Sequence, residues 1–176
     1  MHVKAKKMAF AGLMLAFTIV CIALGSIIEM NTLFLLAAAS YFVGIVIRET
    51  NVGTGAAFYI AGVLLGFLVS PNKLYIVSYG IMGLYILLNE ISFRQLGKLK
   101  GTANKDVLFW IIKYSVFNVM YIPMVCGLQK LLFVREIPMN MLFIVIAAGQ
   151  IGLFIYDRAY EYVQGNIWNK MRGKLF

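Results

Sequence analysis

Six apolar runs, most of them near the length that crosses a bilayer, dominate the sequence and restrict the folds open to it. A transmembrane helix needs roughly 20 apolar residues, so the second and third runs are short candidates. Only 13% of the 176 residues are charged, whereas about 25% is usual in soluble domains. The chain is therefore predicted to be an all-α integral membrane protein, a six-transmembrane-helix bundle. The predicted spans are about 8–28, 33–47, 54–69, 74–88, 107–128 and 139–156.

The length leaves room for one transmembrane domain, residues 1–176, and for no separate soluble domain. A basic loop at 89–106 and a basic amphipathic tail at 157–176 complete it. The basic N-terminus followed by an apolar run resembles a signal peptide. No small-residue cleavage pattern is followed by a soluble region, however, so we expect a retained first helix.

Basic residues predict the orientation. With a cytoplasmic N-terminus, twelve of the 16 Lys and Arg residues fall in inside loops and three in outside loops. This bias favours both termini and the loop 89–106 in the cytoplasm. The net charge of +9 thus indicates topology, and we expect no nucleic-acid partner.

The remaining basic residue, Lys113, lies within the fifth span, roughly 9 Å from its cytoplasmic start. A lysine at that depth either snorkels to the interface or pairs with a polar group. We expect it to face the bundle interior and to bond a group of the fourth or sixth helix. Depth makes Gln150 the first choice and Glu90 the second, and Asp157 is a further possible partner.

Polar and aromatic side chains within the spans or at their outer ends are candidate ligand-binding residues. Amides in hydrocarbon usually face other helices, so a hydrogen bond that locks the bundle is an equal alternative for Asn118 and Gln150. Tyrosines in the fourth and fifth spans could stack on the flat ring of a ligand. Alternatively, they belong to the belt of aromatic residues at the membrane interface. The polar residues at the outer ends of the spans either converge on a ligand or are simply solvated caps. The candidates are Glu29, Asn31, Asn72, Tyr79, Lys113, Asn118, Tyr121 and Gln150.

Small residues follow one stripe of the first span, where Ala9, Gly12 and Ala16 recur at helical spacing. Such stripes let helix backbones approach closely, either inside the bundle or against a partner helix. We expect this stripe to dock a partner.

With its basic N-terminus, this small-xxx-small first helix and six spans with short outer loops, the chain resembles the S component of energy-coupling-factor (ECF) vitamin transporters. The stretches LLGFLVSPNKLYIVSYGIMGLYILLNE and FWIIKYSVFNV also resemble related small bacterial membrane proteins. The resemblance implies a small-molecule site near the outer face. It also implies docking of the first helix on a transmembrane coupling subunit that is driven by two ATPase subunits.

Two other functions remain open at this stage. An accessory or interaction subunit, of the assembly or immunity type, predicts a closed core in which Lys113, Asn118 and Gln150 satisfy one another. An intramembrane enzyme is disfavoured, because no set of catalytic groups lies at matching depth. We expect no catalytic residue, no cofactor and no metal site, and no phosphate-binding loop is present.

Overall fold

The computed structural model describes residues 2–98, 104–127 and 138–175. No β-strand occurs in these ranges, and six helices are long and apolar enough to cross a membrane. The predicted all-α class and the six candidate spans are therefore confirmed. The elements are α1 (His2–Ile27), a 3-10 helix (Glu29–Asn31), α2 (Thr32–Glu49), α3 (Val52–Val69), α4 (Lys73–Lys98), α5 (Lys105–Gly127), α6 (Met139–Tyr162), a π-helical turn (Val163–Trp168) and α7 (Asn169–Leu175).

Several helices are longer than the predicted spans. Helix α4 ends at Lys98 instead of Leu88, so much of the predicted loop 89–106 is helical. Helix α6 continues past Tyr156 into the π-helical turn and α7, so the predicted tail is helical as well. The prediction ended each helix at its first charged residues, but charges do not stop a helix when they are solvated or paired. The predicted end of the fifth span at Leu128 lies outside the described residues.

Contacts divide the chain into two compact units, one up to Leu99 and one from Lys100 onward. The first holds α1 to α4 and the second α5 to α7, and each is described by itself. The single transmembrane domain and the cytoplasmic termini stay predictions.

Helix α2 is the central helix of the first unit, where it packs on α1, α3 and α4. Of its apolar window 56% is buried, against 28% for α1 and 22% for α3. The main core cluster draws on three helices. Glycines on α3 allow close packing here, since a side chain at Gly62 would meet the Tyr79 hydroxyl. The cluster is Ile22, Leu36, Ala39, Ile76 and Tyr79.

In the second unit, α5 and α6 pair as an antiparallel hairpin. The Tyr121 hydroxyl donates to the carbonyl oxygen of Val145 at 2.8 Å. Further along, Gln150 bonds Asn118 and Asp157 bonds Lys113. From one contact to the next, the residue number falls on α5 and rises on α6, so the two helices run antiparallel. Three polar contacts therefore hold the hairpin along its length.

Candidate functional site

Lys113 is a buried cation held by two carboxylates of α6. Its side chain is 1% exposed, and its Nζ donates to Asp157 Oδ2 at 2.7 Å and to Glu161 Oε1 at 2.9 Å. The same Nζ lies 4.4 Å from the ring centroid of Phe109 and 4.8 Å from that of Trp110. Two carboxylates and two aromatic faces thus replace the water that a lysine loses on burial.

The prediction that Lys113 faces the interior and bonds the sixth helix is confirmed, but its first choice of partner, Gln150, is wrong, and the further possibility, Asp157, is a partner. The lysine is buried and bonds Asp157 and Glu161 of the sixth helix, whereas Gln150 bonds Asn118. Gln150 was chosen by counting back from a helix end at Tyr156, and α6 continues beyond that point. Asp157 lies seven residues after Gln150, about 10 Å further along the axis.

Asn118 and Gln150 form the hydrogen bond expected if these amides lock the bundle. Gln150 Nε2 donates to Asn118 Oδ1 at 2.7 Å. Tyr121, whose hydroxyl is bonded to Val145, has its ring against the backbone of Gly149. These three candidate ligand residues therefore make contacts within the hairpin, and their binding role stays a prediction.

Tyr79 is fully buried in the core of the first unit. Its ring centroid lies 6.4 Å from that of Tyr59, whose hydroxyl donates to Gly80 O. Within the described part of the chain, the Tyr79 hydroxyl has no hydrogen-bond partner. The residue acts as a core side chain beside Gly62, and contact with a ligand is a prediction that this placement does not test.

The loops after α1 and α3 meet at one end of the first unit. Ser26 Oγ in the last turn of α1 and Ser70 Oγ directly after α3 are 3.0 Å apart, which joins the ends of the two helices. Asn31 is exposed there, and so is Asn72, whose Oδ1 accepts from the backbone N–H of Leu74. The side chain of Glu29 lies outside the described residues.

Lys73 at this end is a helix cap that the sequence reasoning missed. Its Nζ donates to the carbonyl oxygens of Phe67 at 2.6 Å and Ser70 at 3.0 Å, the last turn of α3. It also lies 4.3 Å from the ring centroid of Phe67. A lysine just after a predicted helix is a signal for such a cap, because free carbonyls end every helix.

A second missed cluster joins α2 to α4. Arg48 donates twice to Glu90 Oε1, at 2.9 Å from Nε and 2.6 Å from Nη2. Arg94 Nη2 donates to the carbonyl oxygen of Ile47 at 2.6 Å. The opposite charges of Arg48 and Glu90, at the ends of two predicted spans, could have suggested an ion pair. Spacing along the sequence does not show which helices are neighbours, however, so the pair was not predicted.

The predicted docking stripe lies on the exposed side of α1. Ala9, Gly12 and Ala16 are all exposed. A side chain added at Gly12 would meet nothing within 4 Å. The first unit therefore does not use this stripe for its own packing.

The described ranges contain no group of three or more His, Cys, Asp or Glu side chains that could hold a metal ion. A shallow, open groove follows α5, with Trp110, Tyr114, Ser115 and Asn118 among its lining residues.

Comparison of the chain with protein-family models, curated proteins and solved structures found no match.

Proposed function

We propose that the chain is the substrate-binding subunit of an ECF-type uptake transporter in the bacterial cell membrane. In this proposal α1 docks on a transmembrane coupling subunit, and two ATPase subunits supply the energy. The observation that carries the proposal is the exposure of the Ala9, Gly12 and Ala16 stripe.

The two sides of α1 differ in the way that docking requires. The side toward α2 and α3 carries larger buried side chains, among them Phe10, Met14 and Ile22. The exposed side carries the small residues of the stripe beside larger apolar side chains such as Leu13 and Phe17, and at the stripe itself a second backbone can approach closely. In hydrocarbon, where lipid tails are as apolar as leucine, such close packing is a main source of helix association.

The charge distribution supports the orientation of this subunit. Both termini face the cytoplasm if the positive-inside bias holds, and six spans are compatible with that arrangement. The helix ends joined by Ser26 and Ser70 are then outside. The exposed Asn31 and Asn72 lie at that end, and we propose that a small molecule such as a vitamin or cofactor precursor binds there.

An accessory subunit without a ligand is the second candidate, and the second unit favours it. Lys113, Asn118, Tyr121 and Gln150 all bond other groups of the hairpin. A ligand pocket built on these four side chains would have to break those bonds. The two candidates share the docking stripe and differ in whether a ligand is bound.

Co-purification from the native membrane tests the docking step. We expect Gly12→Leu and Ala16→Leu to reduce recovery of the coupling subunit at least tenfold, because bulk blocks close approach of the helices. Gly152→Leu is the matched control, since Gly152 is also exposed with open space around it. Wild-type recovery with both stripe variants would contradict the proposal.

Ligand binding separates the two candidates. Native mass spectrometry of the purified chain should find a bound small molecule if it is a transport subunit. Removal of the Asn31 and Asn72 side chains by alanine substitution should then release it. A chain that docks its partner but never carries a small molecule would support the accessory role instead.

A further inference from the structure

The sixth candidate span is too long for the bilayer that it enters. The helical run Asn140–Gly173 has 34 residues. At 1.5 Å per residue it is about 50 Å long, against a hydrocarbon core of about 30 Å. Tilt alone would have to reach roughly 55°, beyond the usual range of up to about 40°. A part of this run therefore lies outside the hydrocarbon.

The distribution of charged residues indicates that the C-terminal part of this helical run is the part outside the hydrocarbon. The run from Asn140 to Tyr156 has no charged residue. Beyond it, Arg158 and Glu161 form an exposed ion pair at 2.9 Å, with side chains 54% and 40% exposed. Exposed charges of this kind belong at the edge of the hydrocarbon or beyond it. We call the segment after them, residues 163–175, the tail helix.

The tail helix carries one sign of charge and some exposed apolar surface. Its basic residues are Lys170, Arg172 and Lys174, and no acidic residue follows Glu161 in the sequence. Ile167 is 45% exposed and Met171 48% exposed. Basic residues mixed with exposed apolar ones are typical of helices that lie in the headgroup region of a membrane.

The tail helix follows α6 without a break in helical structure. It begins with the π-helical turn Val163–Trp168, and such turns are a recognised cause of helix bends. Gln164 and Trp168, one turn apart, are buried and give it an inner side. Ile167 and Met171 remain exposed on this helix, and contact with a membrane surface would cover them.

We propose that the tail helix lies on the membrane surface and that its basic residues, Lys170 and Arg172 among them, bind anionic phospholipid headgroups. Because Arg158 lies at the edge of the hydrocarbon, the tail helix that follows it is within reach of the headgroups of that leaflet. Each basic residue near an anionic surface strengthens binding about fivefold, so three together contribute on the order of a hundredfold. The proposal does not depend on the transport function.

The test uses the full-length chain in lipid nanodiscs. With Cys21 and Cys126 replaced by serine, Asn169→Cys carries an environment-sensitive fluorophore. We expect a blue shift of its emission in discs containing phosphatidylglycerol relative to phosphatidylcholine alone. High salt should abolish the shift, since it screens charges beyond about 3 Å at 1 M.

Two matched triple variants decide whether charge is the cause. The neutral variant K170Q/R172Q/K174Q should lose the shift, and the charge-preserving variant K170R/R172K/K174R should keep it. Equal emission in both kinds of disc, or a full shift in the neutral variant, would overturn the proposal. A shift that appears only in native membrane vesicles would overturn it too and would indicate a protein partner. Should the neutral variant fail to fold, the salt titration and the charge-preserving variant still decide.

Discussion

Lys113 shows how a charge is accommodated inside a candidate membrane span. Its ammonium group has 1% exposure and bonds a carboxylate that is fully buried, that of Asp157. Burial makes each charge depend on the other, because neither can return to water when its partner is removed. Glu161 joins this pair to Arg158 at the exposed edge. The cluster therefore runs from a buried core to the surface of the hairpin.

Removal of the lysine should destabilise the protein strongly. We expect Lys113→Met to lower the free energy of unfolding by about 3–5 kcal/mol, because it removes the buried cation that is paired with the buried Asp157 carboxylate. The exposed pair gives a control, and Arg158→Met should cost about 1 kcal/mol or less. Steric-trapping unfolding in bicelles measures both. The double variant Lys113→Met/Asp157→Leu should recover part of the loss, and equal effects of the two single variants would contradict the account.

At the scale of elements, the hydrophobic pattern located all six helices and misjudged their ends. Span 74–88 was ended before Asn89 and Glu90, yet both residues are buried in the continuing α4. The reason is tertiary, because Glu90 pairs with Arg48 of α2 and that contact is invisible in the local sequence. The same error shortened α6 and led to the wrong partner for Lys113.

The α5–α6 pairing makes a prediction about one glycine. A methyl group at Gly149 would overlap the Tyr121 ring, whereas one at Gly152 would meet nothing within 4 Å. Gly149→Ala should therefore destabilise the hairpin by about 1–3 kcal/mol through overpacking. Gly152→Ala, the same change on the same helix, should be close to neutral. Thermal denaturation in detergent compares them, and equal melting temperatures would show that Tyr121 moves aside at no cost.

For the whole molecule, composition and periodicity were sufficient to predict the class of fold. Six apolar segments can be recognised because crossing the hydrocarbon core requires a long, nearly uncharged stretch in every span. The candidate site was harder, since it depends on which helices are neighbours. The Asn118–Gln150 bond was anticipated as an alternative, while the Arg48–Glu90 pair and the Lys73 cap were not. Contacts between helices distant in sequence leave little local signal.

The topology of the molecule can be tested at the two ends of α4. In a cysteine-free background, Asn72→Cys precedes this helix and Gly97→Cys lies in its last turn, and both positions are exposed. We expect an impermeant thiol reagent to label Asn72→Cys from outside intact cells. Gly97→Cys should react only after the cells are opened. Labelling of both positions in intact cells would contradict the orientation that the charge bias predicts.

The central claim is that this chain works by docking α1 on a membrane coupling subunit. Native mass spectrometry of the chain, purified in mild detergent from its own membrane, tests that claim most directly. We predict a complex of one copy of this chain with one transmembrane coupling subunit and two ATPase subunits, absent from the Gly12→Leu preparation and present in the Gly152→Leu preparation. Recovery of the wild-type chain alone, or of the intact complex from Gly12→Leu, would contradict it.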